Sequence, residues 1–184
     1  SHKIYLFTSA RAGEGKSTII KALAYSLSMS QKKVLIVDTN FINNTLTREF
    51  EANQDLEAFS NATEDYQYKH VKSIITPTSI EHVDIIGCKG GDYTPAEILG
   101  DNNLLGHLSN LTSAYDYILL EGAALNERSD SKELLAFADT MITVVSAKST
   151  IKQTDKESIS FLQSMNGKFT GAILNYVEKG NVDM

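Results

Sequence analysis

Short apolar runs alternate with longer stretches whose apolar positions recur three or four residues apart, from one end of the chain to the other. The runs IYLF (4–7), VLIV (34–37), VDIIG (83–87), YILL (117–120), TMITVV (140–145) and FTGAILNYV (169–177) read as strands. Helical spacing predicts helices over 16–30, 102–114, 129–138 and 151–165, with one or two short helices inside 43–60. Another helix is predicted to start where Thr94 can act as N-cap, Pro95 takes the first helical position and Glu97 follows three residues after the cap. Uninterrupted apolar strands alternating with helices imply an α/β fold, a mainly parallel sheet with helices on both faces, in one domain spanning 1–184. Ligands of such sheets bind outside the carboxyl ends of the strands, so the segments after the apolar runs are where chemistry is to be sought.

The first of those segments is SARAGEGKST, residues 9–18, between the strand at 4–7 and the helix at 16–30. A glycine-rich connection with one exposed lysine is the plain alternative. The pattern favours a phosphate-binding loop. Gly-Lys-Ser-Thr falls on the first residues of a helix, where unpaired N–H groups and the helix dipole attract an anion. Gly13 and Gly15 allow the backbone to wrap closely around it. Lys16 can reach terminal phosphates, and the Ser17 hydroxyl is a suitable Mg²⁺ ligand. Ala10 stands where the strict G-x-x-x-x-G-K-[ST] pattern has its first glycine, a mild departure at a position that shapes only the entry turn.

Composition narrows the classes. The 184 residues are 42% hydrophobic and 22% charged with a formal net charge of -6, which excludes a disordered chain and argues against a broad nucleic-acid-binding surface. A lone Cys88 permits no internal disulfide, and the four histidines lack metal-ligand spacing. No apolar stretch is long enough to span a membrane. Ser1-His2 directly ahead of the first strand reads as a remnant joined to a domain excised from a larger protein.

Two strand ends carry acids. VLIV runs into Asp38 and YILL into Glu121, so both carboxylates are placed at the sheet edge that bears the phosphate loop. At each, a turn or capping role is the alternative. SARAGEGKST, VLIVDTNF and YDYILLEGAA, in this order and spacing, resemble the bacterial tyrosine kinases of capsule and exopolysaccharide export. Those kinases lie within the wider group of P-loop ATPases that includes MinD and ParA proteins. GGDYTPAEIL, RSDSKELLAFADTMITVV and TGAILN are similar to later segments of the same family, so the resemblance covers nearly the whole chain.

The resemblance implies that Ala12, Gly13, Glu14, Gly15 and Lys16 surround the β- and γ-phosphates of ATP or ADP, that Thr18 approaches the α-phosphate and that Ser17 ligates Mg²⁺. It also implies that Asp38 and Glu121 serve the metal and, with Lys16, the transfer to a tyrosine hydroxyl, and that Asn175 contacts adenine. Its departures are Asn40 and Ile42 in place of the aspartate and arginine of D-x-D-x-R, and Glu121 and Ala124 in place of the aspartate and proline of D-x-x-P. Asn40 for aspartate removes a charge worth up to about 4 kcal/mol at about 4 Å from a cation near a protein surface. Arg11 occupies the place of the signature lysine of MinD and ParA proteins, and arginine is not equivalent to lysine there. No tyrosine follows Tyr176 in this sequence, so the tyrosine-rich tail of the kinases either lies beyond it or is not part of this protein.

These features leave an ATP-binding, tyrosine-kinase-like domain, a catalytically weak or inactive regulatory module of the polysaccharide-export machinery, and, third, a MinD/ParA-type ATPase. The resemblance further implies a homo-oligomer with a membrane-embedded export partner, placed on the cytoplasmic side of the bacterial inner membrane, with no nucleic-acid partner.

Overall fold

In the computed structural model, which describes residues 3–59, 71–99, 104–165 and 167–178, the apolar runs assemble into one seven-stranded sheet. The strands are β1 (Ile4–Ser9), β2 (Val34–Asp38), β3 (Thr76–Pro77), β4 (Val83–Ile86), β5 (Tyr117–Glu121), β6 (Thr140–Ser146) and β7 (Phe169–Asn175). Their spatial order is β3-β4-β2-β5-β1-β6-β7, all parallel except β3, which pairs antiparallel with β4 at one edge.

The absence of polar alternation in these runs follows from burial on both faces. In β2, Leu35 and Val37 join one apolar cluster while Val34 and Ile36 join the other; in β5, Ile118 and Leu120 part from Leu119 in the same way. Helix α1 (Lys16–Met29) places Ile20 and Ala24 on the second cluster, next to Leu46 of α2 (Thr45–Glu49). The opposite face is covered by Leu108 and Leu111 of α4 (Leu108–Leu111), Leu134 of α5 (Asp130–Leu134), and Phe161 and Leu162 of α6 (Asp155–Ser164). The α/β reading with helices on both faces therefore holds.

Helix α3 (Pro95–Ile98) begins as its sequence demands: Thr94 Oγ1 accepts from the Glu97 amide at 3.4 Å and Glu97 Oε2 accepts from the Thr94 amide at 2.7 Å. Other predicted helices are shorter than their apolar spacing suggests. The described part of 43–60 yields the five-residue α2, just after a 3-10 turn at Phe41–Asn43, while 102–114 and 129–138 each contain a 3-10 turn joined to one short α-helix. Residues 60, 102 and 103 lie outside the described residues. The final strand stops at Asn175, short of the predicted 177. Strand β3 was not predicted from the sequence. Among the described residues, no helix is long and apolar enough to cross a membrane.

Register sets up the site. Phe7 of β1, Glu121 of β5 and Asp38 of β2 are lateral neighbours across three adjacent strands, so the loop after β1 and both acids emerge at one level of the carboxyl edge.

Candidate functional site: a phosphate-loop cleft at the sheet edge

The loop after β1 is shaped by two left-handed glycines, Gly13 at φ 76° and Gly15 at φ 95°, the latter serving as N-cap of α1. A side chain at Gly15 would be strained by its φ and would also collide with Asn175, whose Nδ2 lies 2.1 Å from the position of a Cβ. Asn175 instead donates to the Glu14 carbonyl at 3.0 Å and ties the loop to the end of β7. The Glu14 carboxylate turns inward, accepting from the Arg11 amide at 3.0 Å and the Ser146 amide at 3.4 Å. Lys16 is only 6% exposed, and its Nζ donates to Ser9 Oγ at 2.9 Å. Burial lowers its pKa, opposed by the charges of Glu121, Glu127 and Glu14.

Beside the loop lies a cleft of about 220 Å³. Its wall includes Ala12, Gly13, Gly15, Lys16, Ser17, Thr18 and Glu121, so most of the expected residues converge on one space. Ser17 Oγ donates to Glu121 Oε1 at 2.9 Å, and Asn40 Nδ2 donates to the same oxygen at 3.3 Å. Glu121 Oε2 and Asn40 Oδ1 are buried and accept no hydrogen bond among the described residues. Burial, then the charge of Asp38, pushes the Glu121 carboxyl up to about 7, while Lys16, Ser17 and Asn40 pull it down.

Asp38 departs from the expectation that it faces a metal. It is fully buried and is not on the cleft wall. One carboxylate oxygen accepts from the Thr47 amide at 2.8 Å and the Thr47 hydroxyl at 2.7 Å, and the other from the Asn40 amide at 3.2 Å. Burial raises its pKa to about 6 against those hydrogen bonds. The acid thus anchors the segment 39–47, which supplies Asn40, Ile42, Asn43 and Thr45 to the cleft. Asn175 and Glu14 likewise hold the loop from behind and do not line the cleft.

Hard oxygen donors are what Mg²⁺ requires, and the orphaned oxygens of Glu121 and Asn40 beside Ser17 fit it. No group of three or more His, Cys, Asp or Glu suited to a metal exists among the described residues. A Mg²⁺ held by Ser17 and Glu121 would need further oxygen ligands from phosphate and water, as Mg²⁺ commonly takes with nucleotides.

Arg11 has a role that its sequence position did not reveal. Its guanidinium pairs with Asp155 through Nε at 3.1 Å and through Nη2, and Nη2 also donates to the Thr150 carbonyl at 2.8 Å. Asp155 accepts as well from the Lys152 amide at 2.6 Å and Asn126 Nδ2 at 2.7 Å. The amide of Asn126 donates to the Ala10 carbonyl at 3.0 Å, so one knot joins the phosphate loop to the segments after β5 and β6. Sequence reading also missed Asn43, Thr45, Glu49, Glu127 and Tyr176 as cleft residues. Only Tyr176 had a signal: it directly follows a strand at the carboxyl edge.

A family model described as an AAA domain, AAA_31, matches residues 2–168. The chain belongs to this AAA-domain family. Among individual relatives, it is 23% identical over 178 residues to the tyrosine-protein kinase CpsD of Streptococcus agalactiae, spanning 97% of this chain and 77% of CpsD. The kinase domain of the Escherichia coli tyrosine kinase ETK superposes with a TM-score of 0.79 at 18% identity, over 100% of this chain and 71% of that one. The septum site-determining protein MinD from Pyrococcus horikoshii, solved with Mg-ADP, superposes with a TM-score of 0.68 at 20% identity, over 94% of this chain and 69% of that one. The resemblance to bacterial tyrosine kinases is thus met in sequence and in fold, and that to MinD in fold.

Proposed function

We propose that this chain is an ATP- or ADP-binding, tyrosine-kinase-like domain whose phosphate site is the loop 9–18 and whose acid at the metal is Glu121. The observation that carries the reading is the convergence of Lys16, Ser17 and Glu121 on one cleft, with Ser17 hydrogen-bonded to Glu121 at 2.9 Å. The amides of Gly13 to Thr18 form the cradle, and Lys16 supplies a point charge to the terminal phosphates. Asn40 orients Glu121, and Asp38 holds Asn40 and Thr47 in place. Bound Mg²⁺ would neutralise developing phosphate charge, with Ser17 and Glu121 as its protein-side holders. In the manner of the relatives, the phosphoryl acceptor is a tyrosine, the domain works as a homo-oligomer beside a membrane-embedded polysaccharide-export partner, and it sits on the cytoplasmic side of the membrane.

One observation favours a second reading, a regulatory module that binds nucleotide without transfer. Asp38 is consumed by Thr47 and Asn40, which leaves Glu121 as the one carboxylate of the two strand-end acids on the cleft wall. Incubation of wild type and Glu121→Ala with Mg-ATP, followed by phosphotyrosine detection and phosphate release, separates the two. Phosphotyrosine present in wild type and lost in Glu121→Ala supports the kinase; nucleotide bound with neither product in wild type supports the module.

A further inference from the structure

The segment that follows β5 returns to the phosphate loop and is fastened to it backbone to backbone. The Leu125 amide donates to the Ser9 carbonyl at 2.8 Å and the Asn126 amide to the Ala10 carbonyl at 3.0 Å, while the Glu127 and Arg128 amides both donate to the Ala124 carbonyl at 3.1 Å. Side chains clamp each flank of Glu127. Asn126 donates through Nδ2 to Asp155 at 2.7 Å, and its Oδ1 accepts from the Ser158 hydroxyl. On the other flank Arg128 donates to Asp92 at 2.7 Å. The backbone of Glu127 is thereby fixed from both sides, and its side chain is presented on the wall of the phosphate cleft.

The carboxylate meets the entry end of the cradle there. Its Oε1 accepts from the Ala12 amide at 3.4 Å, a long bond that nevertheless takes up an N–H of the phosphate loop. Its charge also acts on Lys16. Lys16 Nζ is held at the same end of the loop, since it donates to Ser9 Oγ at 2.9 Å and Ser9 Oγ donates in turn to the Arg11 carbonyl at 2.6 Å. A terminal phosphate that reaches Lys16 therefore comes up against Glu127, whereas the phosphates nearer the nucleoside lie toward Ser17 and Thr18 in the first turn of α1.

The other acids of this wall are already engaged. Glu49 pairs with Lys21, and Glu121 accepts from Ser17 at 2.9 Å and Asn40 at 3.3 Å. Among the described residues the Glu127 carboxylate has its one hydrogen bond to Ala12 and no cation within ion-pair distance. Its negative charge thus faces the cleft without local neutralisation.

We propose that Glu127 is a specificity-determining residue, an acid placed where a γ-phosphate arrives, which lowers the affinity of the cleft for a nucleoside triphosphate relative to the diphosphate. This rests on the nucleotide-binding reading and adds to it the length of phosphate chain that the site favours. A diphosphate fills the inner cradle and leaves Glu127 on the Ala12 amide. A triphosphate brings further negative charge against the carboxylate and drives it off that amide. Like charges opposed at a partly solvated site cost roughly ten-fold in affinity.

The test is calorimetric titration of wild type, Glu127→Gln and Glu127→Ala with Mg-ADP and with the Mg complex of the β,γ-imido analogue of ATP, which is not turned over. Glutamine keeps the acceptor oxygen and removes the charge; alanine removes both. The proposal requires that either variant bind the triphosphate analogue about ten-fold more tightly than wild type does and keep Mg-ADP within about two-fold. Equal changes for both ligands would make Glu127 a mere support of the loop and overturn the proposal, as would no change for either. Weaker binding of the triphosphate analogue alone would also overturn it, by showing that the carboxylate assists the γ-phosphate or its metal. In the last three cases the nucleotide reading stands. Wild type that binds neither ligand would overturn the nucleotide reading and this proposal with it.

Discussion

Replacing Asp155 by alanine tests whether the phosphate loop is held by a knot on the far side of the sheet edge. The substitution removes the acceptor of two Arg11 bonds, one Asn126 bond and one Lys152 amide bond. The two charged side chains are mostly sheltered, with 7% exposure for Asp155 and 23% for Arg11, so water can compensate only in part. Arg11 keeps the Thr150 carbonyl and loses the carboxylate. Charge-assisted bonds contribute about 1.5–3 kcal/mol each, and with partial solvent compensation the whole loss is about 2–4 kcal/mol. Urea denaturation gives this number directly, and melting should fall by about 5–10 °C. A double-mutant cycle with Arg11→Ala isolates the pair, with a coupling of about 1–3 kcal/mol. The pH sign is also fixed. Hydrogen bonding, first from the Lys152 amide, holds the Asp155 carboxyl below its ordinary value. Its contribution is therefore full above an unfolded value of about 3.9 and fades only as pH falls through the lower folded value. The coupling should be the same at pH 7 and pH 5. A coupling under about 0.5 kcal/mol, or one that vanishes between those two pH values, would refute the knot.

Glu121→Gln should stabilise the unliganded protein by about 1–3 kcal/mol at pH 8 and scarcely at all at pH 4, because a carboxyl raised to about 7 favours the folded state at low pH and loses that contribution as pH rises through 7; urea midpoints at the two pH values read it. The same variant should weaken Mg-ATP binding, so stability and affinity move in opposite directions, which a titration beside the melts would reveal. Gly15→Ala should cost about 1–3 kcal/mol from its left-handed φ and the clash with Asn175, and Asn175→Ala in the same chain should restore part of it, as thermal melts would show. Thr47→Val should cost about 1–3 kcal/mol by leaving Asp38 and the Cys88 amide short of a partner, and chemical denaturation measures it.

Local pattern carried most of the fold. VLIV and YILL are apolar throughout because both faces of β2 and β5 are covered, and Ile20 and Ala24 sit four apart because one stripe of α1 meets the sheet. The shorter elements were less legible. Leu104, Leu105, Leu108 and Leu111 all reach the core, yet a 3-10 turn and a short helix bury them as well as one long helix would. Strand β3 has two residues, one of them Pro77, and exists through its pairing with β4. The phosphate loop was readable because its chemistry is contiguous, from Gly13 to Thr18. Glu121 was readable as a strand-end acid. The turning of Asp38 toward Thr47, the union of Arg11 with Asp155, and the arrival of Tyr176 at the cleft all depend on contacts between distant segments, which spacing along one chain does not encode.

The most direct measurement is a calorimetric titration of Mg-ATP into wild type and Lys16→Ala, repeated with excess EDTA. Saturable binding by wild type that weakens sharply in Lys16→Ala and on removal of Mg²⁺ is the predicted result. Absence of binding by wild type, or binding that neither Lys16 nor Mg²⁺ affects, would contradict the assignment of residues 9–18 as a nucleotide site.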